Sequence, residues 1–159
     1  MEIPDSNIRG LRQRQQRGIL VRPDYNMKNQ ISPQYIAGLI DGEGCFDFNL
    51  TKKYFKSRLR VSVVERDSHI LDLLHEQYGG TIQRIDTGKT NHSPQRMWYL
   101  ERKRLDSLLE DILPYLIIKK KHAQLIKEFS KLPLEERYSK EIKILFKQKL
   151  SKLNKRGRL

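Results

Sequence analysis

The segment YIAGLIDGEGCF, residues 35–46, predicts a helix that passes into a strand almost without a loop. Ser32 and Pro33 precede it, and a capping hydroxyl followed by proline at the first helical position is a helix start signal. Gly42 and Gly44 lie at the other end, where glycines favour helix termination. The sequence therefore predicts a helix from Ser32 to about Gly44.

Strict alternation of apolar and polar residues follows this helix. Residues 45–51 place two phenylalanines and a leucine on one face and Asp47, Asn49 and Thr51 on the other. After a turn at 52–55, residues 58–64 alternate in the same way, with Arg58 and Arg60 on the polar side. Alternation with period two is typical of half-buried antiparallel strands. We expect a sheet with one apolar face and one polar, basic face.

The remaining elements repeat this plan. We predict a helix at 68–78 capped by Asp67, strands at 81–85 and 96–101, a helix up to Pro114 and a further helix at 116–131. The predicted order is α-β-β-α-β-β-α-α, which indicates an α+β fold with one sheet and one helical layer. We divide the chain into a flexible basic arm at 1–31, a core domain at 32–132 and a basic C-terminal helix and tail at 133–159.

The charge of the chain is strongly positive. Lys and Arg total 32 against 19 Asp and Glu, for a net charge of +13. Such an excess favours a polyanionic partner, with nucleic acid the first candidate. Residues 137–159 carry nine basic residues and one acid on an amphipathic helical pattern. That helix can dock on the domain through its apolar stripe, contact phosphates through its basic face, or do both.

Other sequence features restrict the class of protein. A single cysteine excludes an internal disulfide and a cysteine-based zinc site, which favours a reducing, intracellular compartment. There is no apolar run long enough for a membrane span and no secretory h-region, so we expect no membrane association. Five arginines without an acid at 9–22 fit either an organelle transit peptide or an arm that lies on DNA. A bacterial or phage-host cytoplasm and an organelle both remain open, and no protein partner is implied.

Small residues on the first helix indicate close helix packing. Glycine in a helix interior costs about 1 kcal/mol relative to alanine, and close approach of a second helix is the usual compensation. That second helix could belong to the same domain. Because the chain has one copy of the segment, we favour a second chain, giving a two-fold homodimer and a pseudo-palindromic DNA target. The predicted interface is formed by Ala37, Gly38, Asp41 and Gly42, with Asp41 capping the partner helix or bracing the interface.

Residues 36–44, IAGLIDGEG, closely resemble the motif that names the LAGLIDADG homing endonucleases. Further segments look like landmarks of that family in family order, namely 70–74, 78–82, 98–100 and 114–123. Together they cover about residues 32–131. The resemblance is to the single-motif, homodimeric type. It implies the αββαββα homing-endonuclease fold with an antiparallel DNA-binding β-saddle, to which this chain adds a C-terminal basic helix.

The resemblance also implies a site. Glu43, the last acid of the motif, matches the catalytic metal-binding carboxylate, and the Gly42 carbonyl would be a second ligand of Mg²⁺, for which Mn²⁺ could substitute. Hard divalent cations held by carboxylates activate water and neutralise charge in phosphodiester hydrolysis. Lys119 matches the active-site lysine. Glu65 lies where the family often has glutamine, so it could organise water, bind metal directly, or weaken or abolish cleavage.

Polar strand residues would read the DNA major groove, where each base pair has a distinct donor and acceptor pattern. Strand parity assigns the exposed side chains of the first strand pair, whereas the register of the second pair depends on a loop. Arginines suit guanine, Asn49 and Gln83 suit adenine, and Asp47 could accept from cytosine. The predicted DNA-binding residues are Asp47, Asn49, Thr51, Lys53, Arg58, Arg60, Ser62, Thr81, Gln83, Ile85, Arg96 and Trp98.

The expected function is therefore site-specific, divalent-metal-dependent hydrolysis of both strands of a long double-stranded DNA site. The resemblance adds an intron-borne reading frame and short 3′ overhangs. One alternative is an RNA maturase, an intron-splicing cofactor on the same fold, which would not need Glu43. A second is a non-catalytic DNA-binding protein or decayed endonuclease. A ribosomal RNA-binding protein would explain the charge but not the small-residue helix with its terminal acids.

Overall fold

The computed structural model describes residues 30–51, 54–86, 88–90 and 92–155. Its elements follow the order predicted from the sequence, with two extra short helical segments. In chain order they are α1 (Pro33–Glu43), β1 (Gly44–Leu50), β2 (Phe55–Val64), a 3₁₀ turn (Glu65–Asp67), α2 (His69–Tyr78), β3 (Thr81–Ile85), β4 (Gln95–Glu101), α3 (Arg102–Ile112), α4 (Lys120–Lys131), α5 (Leu134–Arg137) and α6 (Lys140–Asn154). The α+β class is confirmed. The predicted arm at 1–31 lies almost wholly outside the described residues.

The passage from α1 into β1 has no loop residue at all. Ser32 caps the helix by accepting a hydrogen bond from the Tyr35 amide, and proline occupies the first helical position. At the other end a Cβ atom on Gly44 would lie 2.6 Å from the Ile40 carbonyl oxygen. Only glycine allows the strand to leave the helix this closely.

The four strands form one antiparallel sheet in the order β1-β2-β4-β3. Its first face packs under the helices, where Leu59, Val61, Trp98 and Leu100 are buried. Its second face carries the polar members of the alternating pattern. We call this second side the open face. It consists of the side chains of Cys45, Asp47, Asn49, Lys56, Arg58, Arg60, Ser62, Val64, Thr81, Gln83, Ile85, Gln95, Met97, Tyr99 and Glu101.

Two predicted helix boundaries were wrong. The helix expected from about residue 116 begins at Lys120, because the amides of Ile117 and Lys119 are bonded to the Asp41 carboxylate instead of entering a helix. The helix expected to be capped by Asp67 begins at His69 after a 3₁₀ turn that includes Asp67. In both cases tertiary or local hydrogen bonds replaced the continuous helix that residue spacing favoured.

Four of the five phenylalanines form one aromatic cluster that joins the sheet to the C-terminal helix. Phe48 stacks on Phe55 with ring centroids 4.9 Å apart, and Phe129 of α4 meets both edge-on. Phe146 of α6 contacts Phe129 at 5.3 Å and Phe48 at 6.1 Å. Helix α6 is therefore part of the same hydrophobic core as the sheet.

Replacing Phe146 with alanine should lower the free energy of unfolding by about 3 kcal/mol or more, the usual cost of deleting a buried phenylalanine ring. Urea unfolding monitored by circular dichroism measures this change. Leu145→Ala is the matched control, because Leu145 is 42% exposed on the same helix and should change stability by less than about 0.5 kcal/mol. Equal effects of the two substitutions would mean that α6 does not dock as described.

Within the described residues no helix is long and apolar enough to cross a membrane.

Candidate active site and nucleic-acid interface

The C-terminal end of α1 holds the loop that carries Lys119. The two carboxylate oxygens of Asp41 accept hydrogen bonds from the backbone amides of Ile117 and Lys119, both at 2.8 Å. The Lys119 ammonium returns to the same helix end and donates to the carbonyl oxygens of Ile40 at 3.0 Å and Asp41 at 2.6 Å. These carbonyls form the negative end of the helix dipole, which favours a cation there. An ammonium has three hydrogens, so one remains for a substrate oxygen.

This arrangement gives Asp41 a role within its own chain. Its carboxylate was expected to cap the helix of a partner chain or brace the interface. Both of its oxygens accept hydrogen bonds from backbone amides of its own chain, and its place at a partner interface stays a prediction. Asp41 therefore positions Lys119, which lies 78 residues away in sequence.

Glu43 ends the same helix two residues after Asp41, and both Gly42 and Glu43 are exposed. Its carboxylate is thus available to a metal or to water. Among the described residues no group of three or more His, Cys, Asp or Glu side chains is arranged to hold a metal. In the described part of the chain, this end of the helix offers one carboxylate that is not already bonded within the chain, that of Glu43, beside the Asp41 carboxylate that holds the Lys119 loop.

Glu65 lies at the end of β2, in the 3₁₀ turn. Its carboxylate receives two hydrogen bonds from Arg84 of β3, from Nε at 2.7 Å and from Nη2 at 3.3 Å. Arg84 in turn lies 3.6 Å from Asp86. Because Glu65 already has a cationic partner, its charge is balanced without a metal.

The small residues of α1 divide between two faces. Gly38 and Gly42 are exposed, and within the described structure a Cβ atom added to either would meet nothing within 4 Å. Ala37, also predicted at the interface, is fully buried in its own core. That prediction was wrong, because Ala37 lies one helical position from Gly38 and faces inward with Ile36 and Ile40. The exposed strip therefore runs along Gly38 and Gly42.

The second strand pair was assigned the wrong parity on β4. Trp98 was predicted to contact DNA, yet it is fully buried and donates from Nε1 to the Gly79 carbonyl oxygen at 2.8 Å. Arg96 also points toward the helical layer, where it binds Asp72 through two hydrogen bonds and Ser68 through one. The register explains both, since Trp98 pairs with Val61 and Arg96 with Val63, which belong to the apolar series of β2.

The side chains that replace them on the open face are Gln95, Met97, Tyr99 and Glu101, which pair with or lie beside the polar series of β2. The sequence does contain a pattern that places these four residues on the open face. Trp98 and Leu100 share one parity and are apolar, so the odd-numbered residues had to be on the other face. The β3 assignments agree with the register, because Thr81 pairs with Tyr99, Gln83 with Met97 and Ile85 with Gln95.

Near the β1–β2 turn, the residues on the open face differ from the predicted DNA-binding residues. Thr51 lies just beyond β1, where its hydroxyl accepts a hydrogen bond from the Tyr54 amide. Lys53 lies outside the described residues. Lys56, which was not singled out from the sequence because β2 was expected to begin later, is on the open face 3.6 Å from Glu101. Asn49 donates to the same Glu101 at 3.4 Å.

A histidine lies close behind the Lys119 loop. His122 is partly buried, and among the residues that the structure describes its Nδ1 has no hydrogen-bond partner. Burial lowers the pKa of His122, as does the nearby positive charge of Lys119, while a hydrogen bond with Asn154 of α6 opposes the shift.

The sign of this shift predicts a pH dependence of stability. Below about pH 6.5, where a free imidazole becomes protonated, the unfolded chain binds more protons at His122 than the folded chain. The contribution of neutral His122 is thus present above about pH 6.5 and is lost as pH falls through its lowered folded pKa. We expect His122→Gln to reduce the loss of stability between about pH 7 and about pH 5 in urea unfolding. The exposed His75, as His75→Gln, is the control. An unchanged pH profile in His122→Gln would contradict this prediction.

The family described as LAGLIDADG endonuclease matches residues 36–132, well over half of the chain. No curated protein sequence matches at a significant level. Among solved structures, the homing endonuclease I-CvuI in complex with its target is similar with a TM-score of 0.64 and 23% identity, over 84% of this chain and 87% of that one.

Two further structures show the same fold. The archaeal intron-encoded homing endonuclease I-Vdi141I, complexed with DNA, has a TM-score of 0.60 and 19% identity over 79% of this chain and 86% of its own. The LAGLIDADG meganuclease I-AabMI, bound to uncleaved DNA, has a TM-score of 0.58 and 23% identity over 74% of this chain but 44% of its own. At these identities the likeness establishes the fold.

The family match begins in α1, includes both strand pairs and the loop of Lys119, and ends after α4. The helix with exposed glycines, the terminal acid and the polar open face all lie within it. With the motif, the fold and the family match in agreement, this chain belongs to the LAGLIDADG endonuclease family.

Proposed function

We propose that the chain is a site-specific homing endonuclease that acts as a homodimer. It would hydrolyse both strands of a long, pseudo-palindromic double-stranded DNA site with a divalent metal, Mg²⁺ by preference and Mn²⁺ as a substitute. The observation that carries the proposal is the joint placement of exposed Glu43 and the Lys119 ammonium at the end of one helix, where the open face begins.

The chain's own residues define the chemistry at this helix end. The Glu43 carboxylate and the Gly42 carbonyl would hold a hard divalent cation, which activates water and neutralises developing charge on the scissile phosphate. The Lys119 ammonium is fixed by two helix carbonyls and directs its remaining hydrogen toward a phosphate oxygen or water. Glu65, charge-balanced by Arg84, orders solvent at the end of β2.

The surface beside the end of α1 supports a homodimer. The Glu43 carboxylate and the Gly42 carbonyl would supply part of the oxygen ligands of the metal, and a second copy's Glu43, DNA phosphates and water would supply the rest. Gly38 and Gly42 present an exposed strip without side chains. Beside this helix end, Ile117 and Ile118 are 85% and 70% exposed on the loop held by Asp41. Apolar residues this exposed beside a bare helix strip suit a second copy. The chain also matches only 44% of I-AabMI, a length that two copies would supply.

The DNA target is supported by charge and by the relatives. The net charge of +13 favours a polyanion, and the open face presents alternating polar side chains that a major groove can accept. I-CvuI is described with its target and calcium, and with a DNA target and magnesium in which the DNA is not cleaved. I-Vdi141I is described as intron-encoded. By analogy with these proteins, we propose that this chain also uses a divalent metal and that its reading frame lies in an intron.

The decisive experiment is cleavage of a plasmid library with randomised inserts in the presence of Mg²⁺, followed by sequencing of the cut ends. The proposal expects one long, roughly two-fold symmetric site cut on both strands with staggered ends. Retention of a specific duplex in Ca²⁺ without any cutting in Mg²⁺ or Mn²⁺ would instead indicate a DNA-binding protein. If no duplex is retained, binding to structured intron RNA tests the maturase alternative.

A further inference from the structure

The centre of the open face contains an aspartate held between two arginines. Asp47 of β1 pairs across the sheet with Arg58 of β2. Arg58 donates from Nε to Oδ1 at 2.8 Å and from Nη2 to Oδ2 at 3.1 Å. Arg60 places its Nε 2.7 Å from Oδ2, close enough for an ion pair although the angle is not that of a hydrogen bond.

Arg58 is fixed from more than one side. Its guanidinium lies over the Tyr99 ring at 5.5 Å from the ring centroid. The hydrogen bond with Asp47 raises the pKa of Arg58 and outweighs burial, which lowers it, and the charges of Asp47 and Glu101 raise it further. A guanidinium has five N–H donors in a planar fork. Asp47 engages the side formed by Nε and Nη2, so the end formed by the two Nη groups remains available for two parallel hydrogen bonds.

That free end matches guanine. The O6 and N7 atoms of guanine in the major groove accept two parallel hydrogen bonds from one arginine. Holding the guanidinium in place before binding removes rotamer freedom that would otherwise be lost on binding. Asp47 itself has both carboxylate oxygens occupied by arginines, which leaves it poorly suited to accept from a cytosine amino group.

We propose that Asp47 is a positioning residue for base recognition, which contacts no base but orients Arg58 and Arg60 to read guanines in each half-site. This inference rests on the proposed DNA-binding function. It replaces the sequence-based interpretation of Asp47 as a cytosine reader. It also makes a testable distinction, because a positioning residue and its arginine must determine the same base pair, whereas two independent readers determine different ones.

The experiment is selection of bound duplexes from a randomised pool in Ca²⁺, without cleavage, for the wild type and for Asp47→Asn, Arg58→Ala, Arg60→Ala and the double variant Asp47→Asn/Arg58→Ala. Asp47→Asn should reduce the preference for guanine about tenfold or more at base pairs where Arg58→Ala or Arg60→Ala also reduces it. The double variant should add little to Arg58→Ala at the Arg58 position, since coupled residues are not additive. Affinity for random duplex should stay equal or rise in Asp47→Asn, because a negative charge is removed from the DNA-facing side.

The matched control is Asp72→Asn. Asp72 forms a similar two-bond pair with Arg96, but this pair lies on the helical side of the sheet. The Asp72→Asn substitution should therefore leave every base preference unchanged. If Asp47→Asn alters a base pair that neither arginine variant affects, or alters none, the inference is overturned while the DNA-binding function stands. Failure of the wild type to select any duplex would overturn the proposed function itself.

Discussion

Replacing Glu43 with glutamine should abolish cleavage of the selected DNA site. The amide keeps the size of the side chain but loses the charge that holds a divalent cation. A metal contributes several kcal/mol to phosphodiester hydrolysis, so we expect a rate loss of at least about a thousandfold. Single-turnover cleavage of a supercoiled plasmid carrying the site measures the first and second strand cuts separately.

Measuring DNA binding distinguishes a loss of catalysis in Glu43→Gln from misfolding of the variant. Glu43 is exposed at the end of α1, so Glu43→Gln should unfold like the wild type and still retain the site in a gel-shift assay. Glu110→Gln makes the same change at an exposed position of α3 and should cut normally. Cleavage at near wild-type rate by Glu43→Gln would remove Glu43 from the catalytic centre and shift attention to Lys119 and Glu65.

Replacing Gly38 with leucine should separate the proposed dimer into folded monomers. Within one described subunit a side chain at this position meets nothing within 4 Å. Leucine is also a better helix former than glycine by about 1 kcal/mol, so the monomer should be at least as stable as before. Between two closely packed helices, however, an added side chain costs about 1–3 kcal/mol, and the dimer contains two of them.

We therefore expect the dimer dissociation constant to rise at least about thirtyfold. Sedimentation velocity measures the assembly state, and DNA cleavage should fall with it because both half-sites must be held together. Ser107→Leu adds the same side chain to an exposed position of α3 and should change neither. A dimer that persists in Gly38→Leu would show that the contact between subunits lies elsewhere.

The two strand pairs differ in how well the alternation of residues predicted which face of the sheet each side chain occupies. On β1 and β2 the alternation was unbroken and the face assignments of Asp47, Arg58 and Arg60 agree with the observed register. On β4, where the register depended on the preceding loop, Arg96 and Trp98 were assigned to the DNA-reading face. Arginine was instead neutralised by Asp72 of α2, and tryptophan filled the core. The loop left the register of β4 open, whereas the parity that Trp98 shares with Leu100 would have given the correct face.

In the motif too, local sequence predicted some features, and contacts between distant residues determined others. Local sequence was sufficient for the start and end of α1, because capping by Ser32, proline at the first position and a glycine at Gly44 act over a few neighbouring residues. It was also sufficient to place Glu43 at an exposed helix end. Local sequence could not predict the role of Asp41, because both hydrogen-bond partners of its carboxylate lie more than 70 residues away in the chain.

Short-range patterns in the amino-acid sequence therefore specified the order of helices and strands, the basic character and the family. Contacts between distant segments decided what individual side chains do. Asp41 serves Lys119, Glu65 is balanced by Arg84, and Asp47 is shared by two arginines. The physical reason is that backbone propensity and capping depend on adjacent residues, whereas hydrogen-bond and ion-pair partners depend on which strands and loops the completed fold brings within about 3 Å of one another.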